Sequence, residues 1–247
     1  MCRHLAYLGV PQSLRALLVD PPHGLYRQAW APRRQSHGVV NADGFGVGWY
    51  AHVDPAPARY RRAVPMWADP SFADLARVTH THALLAAVRS ATPGTGPEEA
   101  AAAPYAAGRW LFSHNGAVEG WPEKLEPLAA RLPAAALLAL EARCDSALVW
   151  ALVVDALDSG SPPEIALADT VRTVAAAADA RLNLLVTDGT TIVATTYGDS
   201  LCWRADDHGV VVASEPADDG AGWQDVPDRR LLVATAADVV VTPLETP

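Results

Sequence analysis

The spacing of apolar residues divides the chain into a strand-rich part, a helical part and a second strand-rich part. Alternating or β-branched runs predict early strands at residues 4–10, 45–52, 83–89 and 110–113. Short helices are expected at 13–19, 24–30 and 71–78. Because Asn-Gly is a strong turn signal, we expect the fourth strand to end at Asn115-Gly116.

Residues 121–178 carry apolar positions at helical spacing, which predicts helices at 122–131, 145–157 and 163–178. Asp145 and Ser146 are suited to cap the second of them. Strand patterns then return at 182–187, 191–197, 201–204, 209–213, 230–234 and 239–242. This order predicts an α+β fold of two sheets covered by helices. No repeat or linker divides residues 1–247, so a single domain is expected.

Composition and charge narrow the range of partners. The net charge is −9 and no basic run could follow a phosphate backbone, so we expect no nucleic-acid partner. No apolar stretch reaches the roughly 18 residues that span a bilayer, so we expect no membrane association. Three cysteines without C-x-x-C spacing favour a reducing cytoplasm. His80 and His82 lack a third ligand, so no metal is expected, and a homo-oligomer is left open.

Cys2 directly follows the initiator methionine. Methionine aminopeptidase removes Met1 when the next side chain is small, so the mature chain can begin with a residue that carries both a thiol and a free α-amine. The ordinary pKa values of these groups are about 8.5 and about 7.7–8.0, so the amine can accept the thiol proton near neutral pH. Taken alone, Cys2 is equally compatible with a small buried residue near a terminus.

Three further motifs follow Cys2 in a fixed order. They are Arg89-Ser90-Ala91-Thr92, His114-Asn115-Gly116 and Cys144-Asp145-Ser146. With an initial cysteine, this series resembles the class II glutamine amidotransferase superfamily over nearly the whole chain. The resemblance implies a four-layer αββα sandwich of the N-terminal-nucleophile hydrolase type, with two mainly antiparallel sheets between helical layers. It implies no cofactor.

The resemblance also assigns roles to individual residues. Arg89 is expected to bind the α-carboxylate of a small-molecule γ-glutamyl substrate, with Thr92 in the same site, and Asp145 to bind its α-ammonium group. Asn115 and the backbone N–H of Gly116 are expected to stabilise the oxyanion that forms when Cys2 attacks. Simpler structural roles stay open for each: a surface arginine, a helix cap and a turn.

Other stretches resemble one branch of the family, the amidohydrolases of ergothioneine biosynthesis. They are Trp30-Ala31-Pro32-Arg33, the segment 41–50, the segment 108–116 and Ala213-Ser214-Glu215-Pro216. Enzymes of this branch release glutamate and hercynylcysteine sulfoxide from γ-glutamyl-hercynylcysteine sulfoxide. The leaving group carries a trimethylammonium group, which aromatic faces bind well. The candidates are Trp30, Trp49, Tyr50 and Tyr105.

Two departures from the glutaminase pattern make strict use of glutamine less expected. The family's Arg-x-x-Thr-His reads Arg-Ser-Ala-Thr-Pro at 89–93, and Asn-Ala-His-Pro reads Ala-Ala-Ala-Pro at 101–104. No acceptor domain follows, so we expect a stand-alone hydrolase or a partner of a separate synthetase. The alternatives are a γ-glutamyl peptidase acting on glutathione-like thiols, a glutaminase subunit, and a catalytically inactive γ-glutamyl-binding protein.

Overall fold

The computed structural model describes residues 2–51, 53–92 and 94–244. Within them, thirteen strands form two sheets whose strand pairs are antiparallel. The strands are β1 (Arg3–Ser13), β2 (Phe45–Ala51), β3 (Asp54–Arg62), β4 (His80–Val88), β5 (Tyr105–Ala107), β6 (Trp110–Val118), β7 (Ala180–Thr187), β8 (Ile192–Thr196), β9 (Cys202–Asp206), β10 (Gly209–Ala213), β11 (Gln224–Asp225), β12 (Arg230–Ala234) and β13 (Val239–Pro243). The end of the strand expected at 45–52 falls on His52, outside the described residues.

Seven α-helices lie in the same described ranges. They are α1 (Leu14–Leu18), α2 (Leu25–Gln28), α3 (Pro70–Val78), α4 (Glu126–Ala129), α5 (Ala134–Leu138), α6 (Asp145–Asp158) and α7 (Pro163–Ala177). Local sequence accounts for several helix starts. The Ser13 side chain accepts a hydrogen bond from the Ala16 N–H, and Pro163 occupies the first turn of α7, where a missing N–H costs nothing.

The two sheets lie face to face between helical layers. The first has the strand order β11-β9-β10-β1-β4-β2-β3 and the second β13-β12-β8-β7-β6-β5. Along β1, Leu5 and Tyr7 enter the apolar cluster on one face of the first sheet, whereas Ala6 and Leu8 enter the cluster between the sheets. Phe112 packs on the other face of the second sheet, among residues of α6 and α7. The predicted αββα sandwich is confirmed.

The predicted turn at Asn115-Gly116 is wrong, because both residues lie inside β6. Pairing with β7 continues from Leu111 to Val118 without interruption. Gly116 permits this close approach, since a Cβ there would lie 1.8 Å from the Arg181 carbonyl oxygen. Tertiary pairing therefore overrides the local preference of Asn-Gly for a turn.

Two further differences from the prediction involve proline. No strand was expected at β3, where Pro55 and Pro57 interrupt the pattern, but β3 is an edge strand, where a missing N–H donor is tolerated. The helix expected at 122–131 is divided into a single 3₁₀ turn, Glu123–Leu125, and the short α4. Pro127 lacks the N–H needed to continue the first turn, so a new helix begins beside it.

Candidate active site

Cys2 lies immediately before β1, a central strand of the first sheet between β10 and β4. It is half-buried and carries a free thiol. Its Sγ lies 3.8 Å from the carbonyl oxygen of Ser90, just beyond the end of β4. The antiparallel pairing of β1 with β4 thus brings Cys2 beside the Arg89-to-Thr92 motif.

A narrow cavity opens beside this thiol and collects residues from all four predicted motifs. It is bordered by Cys2, Arg89, Thr92, Tyr105, Gly116 and Asp145, among others. These positions come from the start of β1, the end of β4, the 92–105 segment, β6 and the start of α6. Residues spread over more than half of the sequence therefore meet at one end of the sandwich.

Arg89 brings a positive charge to this cavity. Only 7% of the residue is exposed. Its guanidinium donates to Thr95 Oγ1 at 3.1 Å, to the Gly96 carbonyl at 2.9 Å and to the Asp43 carbonyl at 3.3 Å. All three acceptors are neutral, and no ion pair of Arg89 occurs among the described residues. The charge is thus held in place but not neutralised.

Asp145 brings the opposite charge and is 2% exposed. One carboxylate oxygen accepts from the Val118 N–H at 3.0 Å and the other from the Ser146 N–H at 2.8 Å. The N-cap position of α6 is Cys144, whose side chain makes no capping hydrogen bond, and not Asp145 or Ser146 as predicted. Asp145 occupies the first turn, where the positive end of the helix dipole favours a carboxylate. In the described part of the chain Asp145 has no cationic partner. The cavity is therefore complementary to a bound zwitterion, because buried charges need a partner.

His114 fastens β6 to α6 at the edge of this cavity. Its Nε2 lies 2.9 Å from the Arg181 carbonyl, which can only accept, so Nε2 carries the proton. Its Nδ1 lies 2.9 Å from the hydroxyl of Ser146, the residue after Asp145. His114 thus holds the segment that carries Asp145 against β6.

Asn115 points to the opposite face of β6 from His114 and is fully buried. Its Nδ2 makes only a long contact, 3.5 Å, with Ser214 Oγ, and its Oδ1 has no hydrogen-bond partner within the described residues. Ser214 Oγ also accepts from the backbone N–H of His4, two residues after Cys2. Ser214 was given no role from sequence; its place in the 213–216 motif was the only signal.

Comparisons with known proteins show the family of the chain. The sequence profile described as "Glutamine amidotransferases class-II" matches residues 25–204. The chain belongs to this family. It is 46% identical to the γ-glutamyl-hercynylcysteine sulfoxide hydrolase of Mycobacterium tuberculosis, over 99% of this chain and 97% of the relative. It is also 46% identical to the protein of the same name from Mycolicibacterium smegmatis, over 99% of this chain and 100% of the relative.

Solved structures show the same fold. A glutamine aminotransferase class-II domain protein from Silicibacter pomeroyi superposes with a TM-score of 0.72 at 25% identity, covering 99% of this chain and 100% of that one. Glutamine phosphoribosylpyrophosphate amidotransferase from B. subtilis gives a TM-score of 0.71 at 14% identity, covering 99% of this chain and 49% of that one. At that identity the second likeness concerns the fold alone.

The cavity of this class-II amidotransferase has an apolar wall where the family pattern is polar. Ala101 and Ala103 border it, at the positions where the pattern has Asn and His. Gly46 of β2 lets this wall lie close, since a Cβ there would be 2.3 Å from the Ala103 carbonyl. The Tyr105 hydroxyl donates to the Ala101 carbonyl at 3.1 Å, and burial raises the pKa of Tyr105 well above its ordinary value. Tyr105 therefore forms an uncharged part of the cavity wall.

The structure does not bring the other three predicted aromatic residues to the cavity. Trp30 packs edge-on against Tyr26 in the apolar cluster next to α1, α2 and α3, and Trp49 joins the same cluster. Tyr50 faces the core between the sheets, and its hydroxyl donates to the Thr187 carbonyl at 2.8 Å. Neighbouring β2 residues point to opposite faces of the sheet, so Trp49 and Tyr50 enter different apolar clusters.

Two findings concern membrane-spanning helices and metal-binding side chains. Within residues 2–51, 53–92 and 94–244, no helix has the length and apolar character needed to cross a membrane. Over the same residues, no group of three or more His, Cys, Asp or Glu side chains is arranged to hold a metal ion. Two residues of interest, Met1 and the Pro93 that departs from the family motif, lie outside the described ranges.

Proposed function

We propose that this chain hydrolyses the γ-glutamyl amide bond of γ-glutamyl-hercynylcysteine sulfoxide, with Cys2 as the nucleophile. The observation that carries the proposal is the pair of buried, opposite charges, Arg89 and Asp145, in the cavity beside the Cys2 thiol. A glutamyl end offers the matching α-carboxylate and α-ammonium groups. The names of the relatives at 46% identity supply the rest of the substrate.

The first half of the reaction forms a thioester. Removal of Met1 frees the α-amine of Cys2, which takes the thiol proton as Sγ attacks the γ-carbonyl carbon. The Asn115 amide and the Gly116 N–H stabilise the oxyanion of the tetrahedral intermediate. The intermediate collapses as the C–N bond breaks, and the leaving nitrogen takes the proton back from the α-amine. Hercynylcysteine sulfoxide departs.

The second half hydrolyses that thioester. The α-amine of Cys2 takes a proton from water, and the hydroxyl oxygen attacks the thioester carbonyl at the same oxyanion site. The C–S bond then breaks, the sulfur is reprotonated and glutamate is released. Arg89 and Thr92 hold the α-carboxylate and Asp145 the α-ammonium group throughout, so the γ-carbonyl stays beside Cys2.

Two broader features fit this role. Cys2, Cys144 and Cys202 are all free thiols, which supports a reducing, cytoplasmic setting for the reaction. One apolar cluster receives side chains from both sheets, which supports residues 1–247 acting as a single domain.

The test combines intact-mass analysis with turnover. Purified protein should begin at Cys2, gain the mass of a glutamyl group during turnover, and release glutamate from γ-glutamyl-hercynylcysteine sulfoxide faster than from glutamine or glutathione. Cys2→Ala should lose the adduct and the activity while still binding substrate. Activity that persists in Cys2→Ala would refute the mechanism, and faster turnover of glutamine or glutathione would favour the glutaminase or peptidase alternative.

A further inference from the structure

A loop outside the glutamyl cavity contacts Arg3, the residue after the nucleophile. This segment, Arg33 to Asn41, is called the 33–41 loop. Its Gln35 accepts a hydrogen bond through Oε1 from Arg3 Nε at 3.2 Å, and Arg3 directly follows Cys2 in the chain. A Cβ on Gly38 would lie 3.9 Å from Ser90 Oγ, on the residue whose carbonyl contacts the Cys2 thiol.

The position of the 33–41 loop suggests which part of the substrate it meets. Among the described residues that line the cavity with Arg89 and Asp145, none comes from this loop. A γ-glutamyl amide has two ends, and the glutamyl end occupies that cavity in the proposed function. The leaving amine must therefore extend out of that cavity, and the 33–41 loop contacts Arg3 and approaches Ser90, both of which lie beside Cys2.

Glu215 holds this loop from behind. It is fully buried, and its two carboxylate oxygens accept from the Arg33 N–H at 2.9 and 3.0 Å. One of the oxygens also accepts from the Arg34 N–H at 2.6 Å. Glu215 follows Ser214, which is bonded to His4 of β1. Two consecutive residues therefore hold both segments: Ser214 contacts β1 and Glu215 contacts the 33–41 loop.

Other acidic residues contact the loop less firmly. The Arg33 side chain pairs with Asp219 at 2.6 Å, but the two side chains are 49% and 72% exposed. Arg34 pairs with Asp225, whose side chain is 68% exposed. Solvent screens such pairs, so they contribute little to fixing the loop. The buried backbone contacts of Glu215 are the better anchor.

We infer that Glu215 is a positioning residue that fixes the 33–41 loop through Arg33 and Arg34 and thereby shapes the leaving-group side of the active site. Glu215 acts through Gln35 and its contact with Arg3, without touching the substrate. This inference rests on the proposed function, because it takes the glutamyl end to occupy the cavity. The contacts of Glu215 bring together the motifs at 30–33 and 213–216, and sequence alone did not reveal that these segments are in contact.

The test uses Glu215→Gln, which keeps the shape but leaves one acceptor oxygen for two N–H groups. Single-turnover experiments with γ-glutamyl-hercynylcysteine sulfoxide should show thioester formation about 10- to 100-fold slower, the range expected when a reacting group is displaced by about 1 Å. Hydrolysis of the thioester should be unchanged, because the leaving group has gone by then. In calorimetry, the variant should bind hercynylcysteine sulfoxide more weakly and glutamate with unaltered affinity.

Asp219→Asn is the matched control, since it removes an exposed acidic contact of the same loop and should leave both rates within about twofold of wild type. Should Glu215→Gln not fold, Gln35→Ala removes the loop's bond to Arg3 and should give the same selective loss. Equal slowing of both half-reactions, or no slowing of thioester formation, would overturn the inference. If wild-type protein forms no thioester, the proposed function itself has failed.

Discussion

Replacing Asp145 with asparagine isolates its proposed contact with the substrate's α-ammonium group. The carboxylate has about four acceptor positions, of which the Val118 and Ser146 N–H groups use two. The side chain is 2% exposed, so water cannot replace a lost partner. Hydrogen bonds between charged groups contribute about 1.5–3 kcal/mol, which corresponds to about a 10- to 150-fold fall in kcat/KM.

Asparagine also disturbs the protein itself, because its amide nitrogen cannot accept from either backbone N–H. A second substrate separates the two effects. In a glutaryl amide, which is γ-glutamyl amide without the α-amine, wild-type protein should already lose most of this 10- to 150-fold factor, and Asp145→Asn should lose little more. Steady-state kinetics of the wild-type and Asp145→Asn proteins, each with both substrates, give the coupling between Asp145 and the α-ammonium group directly. Asp158→Asn, at the exposed end of the same helix, should leave every combination unchanged.

The reasoning is refuted if Asp145→Asn lowers kcat/KM by the same factor for both substrates. That result would mean that Asp145 serves only to hold Val118 and the start of α6. Thermal unfolding of each variant should accompany the kinetics, so that a loss of folded protein is not mistaken for a loss of binding.

Three further predictions concern the strands around the cavity. Asn115→Ala should lower kcat by about 10²- to 10³-fold with little change in KM, measured by steady-state kinetics; an unchanged kcat would remove Asn115 from the oxyanion site. Gly116→Ala should not give folded protein by circular dichroism, because the new Cβ would overlap the Arg181 carbonyl; a folded, active variant would contradict the β6–β7 register. Burial, helped by the nearby Arg3 charge, lowers the pKa of His4 to about 3, so His4 is neutral in the folded protein and protonates on unfolding. Its contribution to stability is present above about pH 6.5 and is lost as pH falls toward 3, at up to about 1.4 kcal/mol per pH unit. Urea unfolding should show this dependence of the unfolding free energy on pH, and the dependence should be smaller in His4→Gln. An equal dependence in both proteins would contradict the prediction.

The fold was largely predictable because periodicity and glycine or proline signals mark most of its elements. Two of the failures have the same physical origin, which is that tertiary contacts override local preference. Asn115-Gly116 favours a turn in isolation but is held in β6 by pairing with β7. Pro55 and Pro57 weaken a strand pattern, yet β3 needs no donor on its outer side.

The candidate site was predictable only where a motif carried its own chemistry. Cys2, Arg89 and Asp145 were named because their motifs resemble those of the family in order, and the structure places all three around one cavity. Of the aromatic candidates, Tyr105 borders this cavity, whereas Trp49 and Tyr50 enter apolar clusters on opposite faces of their sheet, because sequence does not say which face of a doubly buried strand a side chain occupies.

The proposed mechanism would account for the deep burial of the residues after Cys2. Chain termini are usually mobile unless contacts hold them, yet this mechanism needs Cys2 to stay fixed beside the cavity that binds the glutamyl end. Arg3 and His4 are each fully buried although both are polar. Arg3 is bonded to Gln35 and His4 to Ser214, so the 33–41 loop and the end of β10 both hold the strand that starts at Cys2. Burial of two polar residues costs stability, and the proposed mechanism gives a reason for that cost, because it requires an immobile residue at position 2.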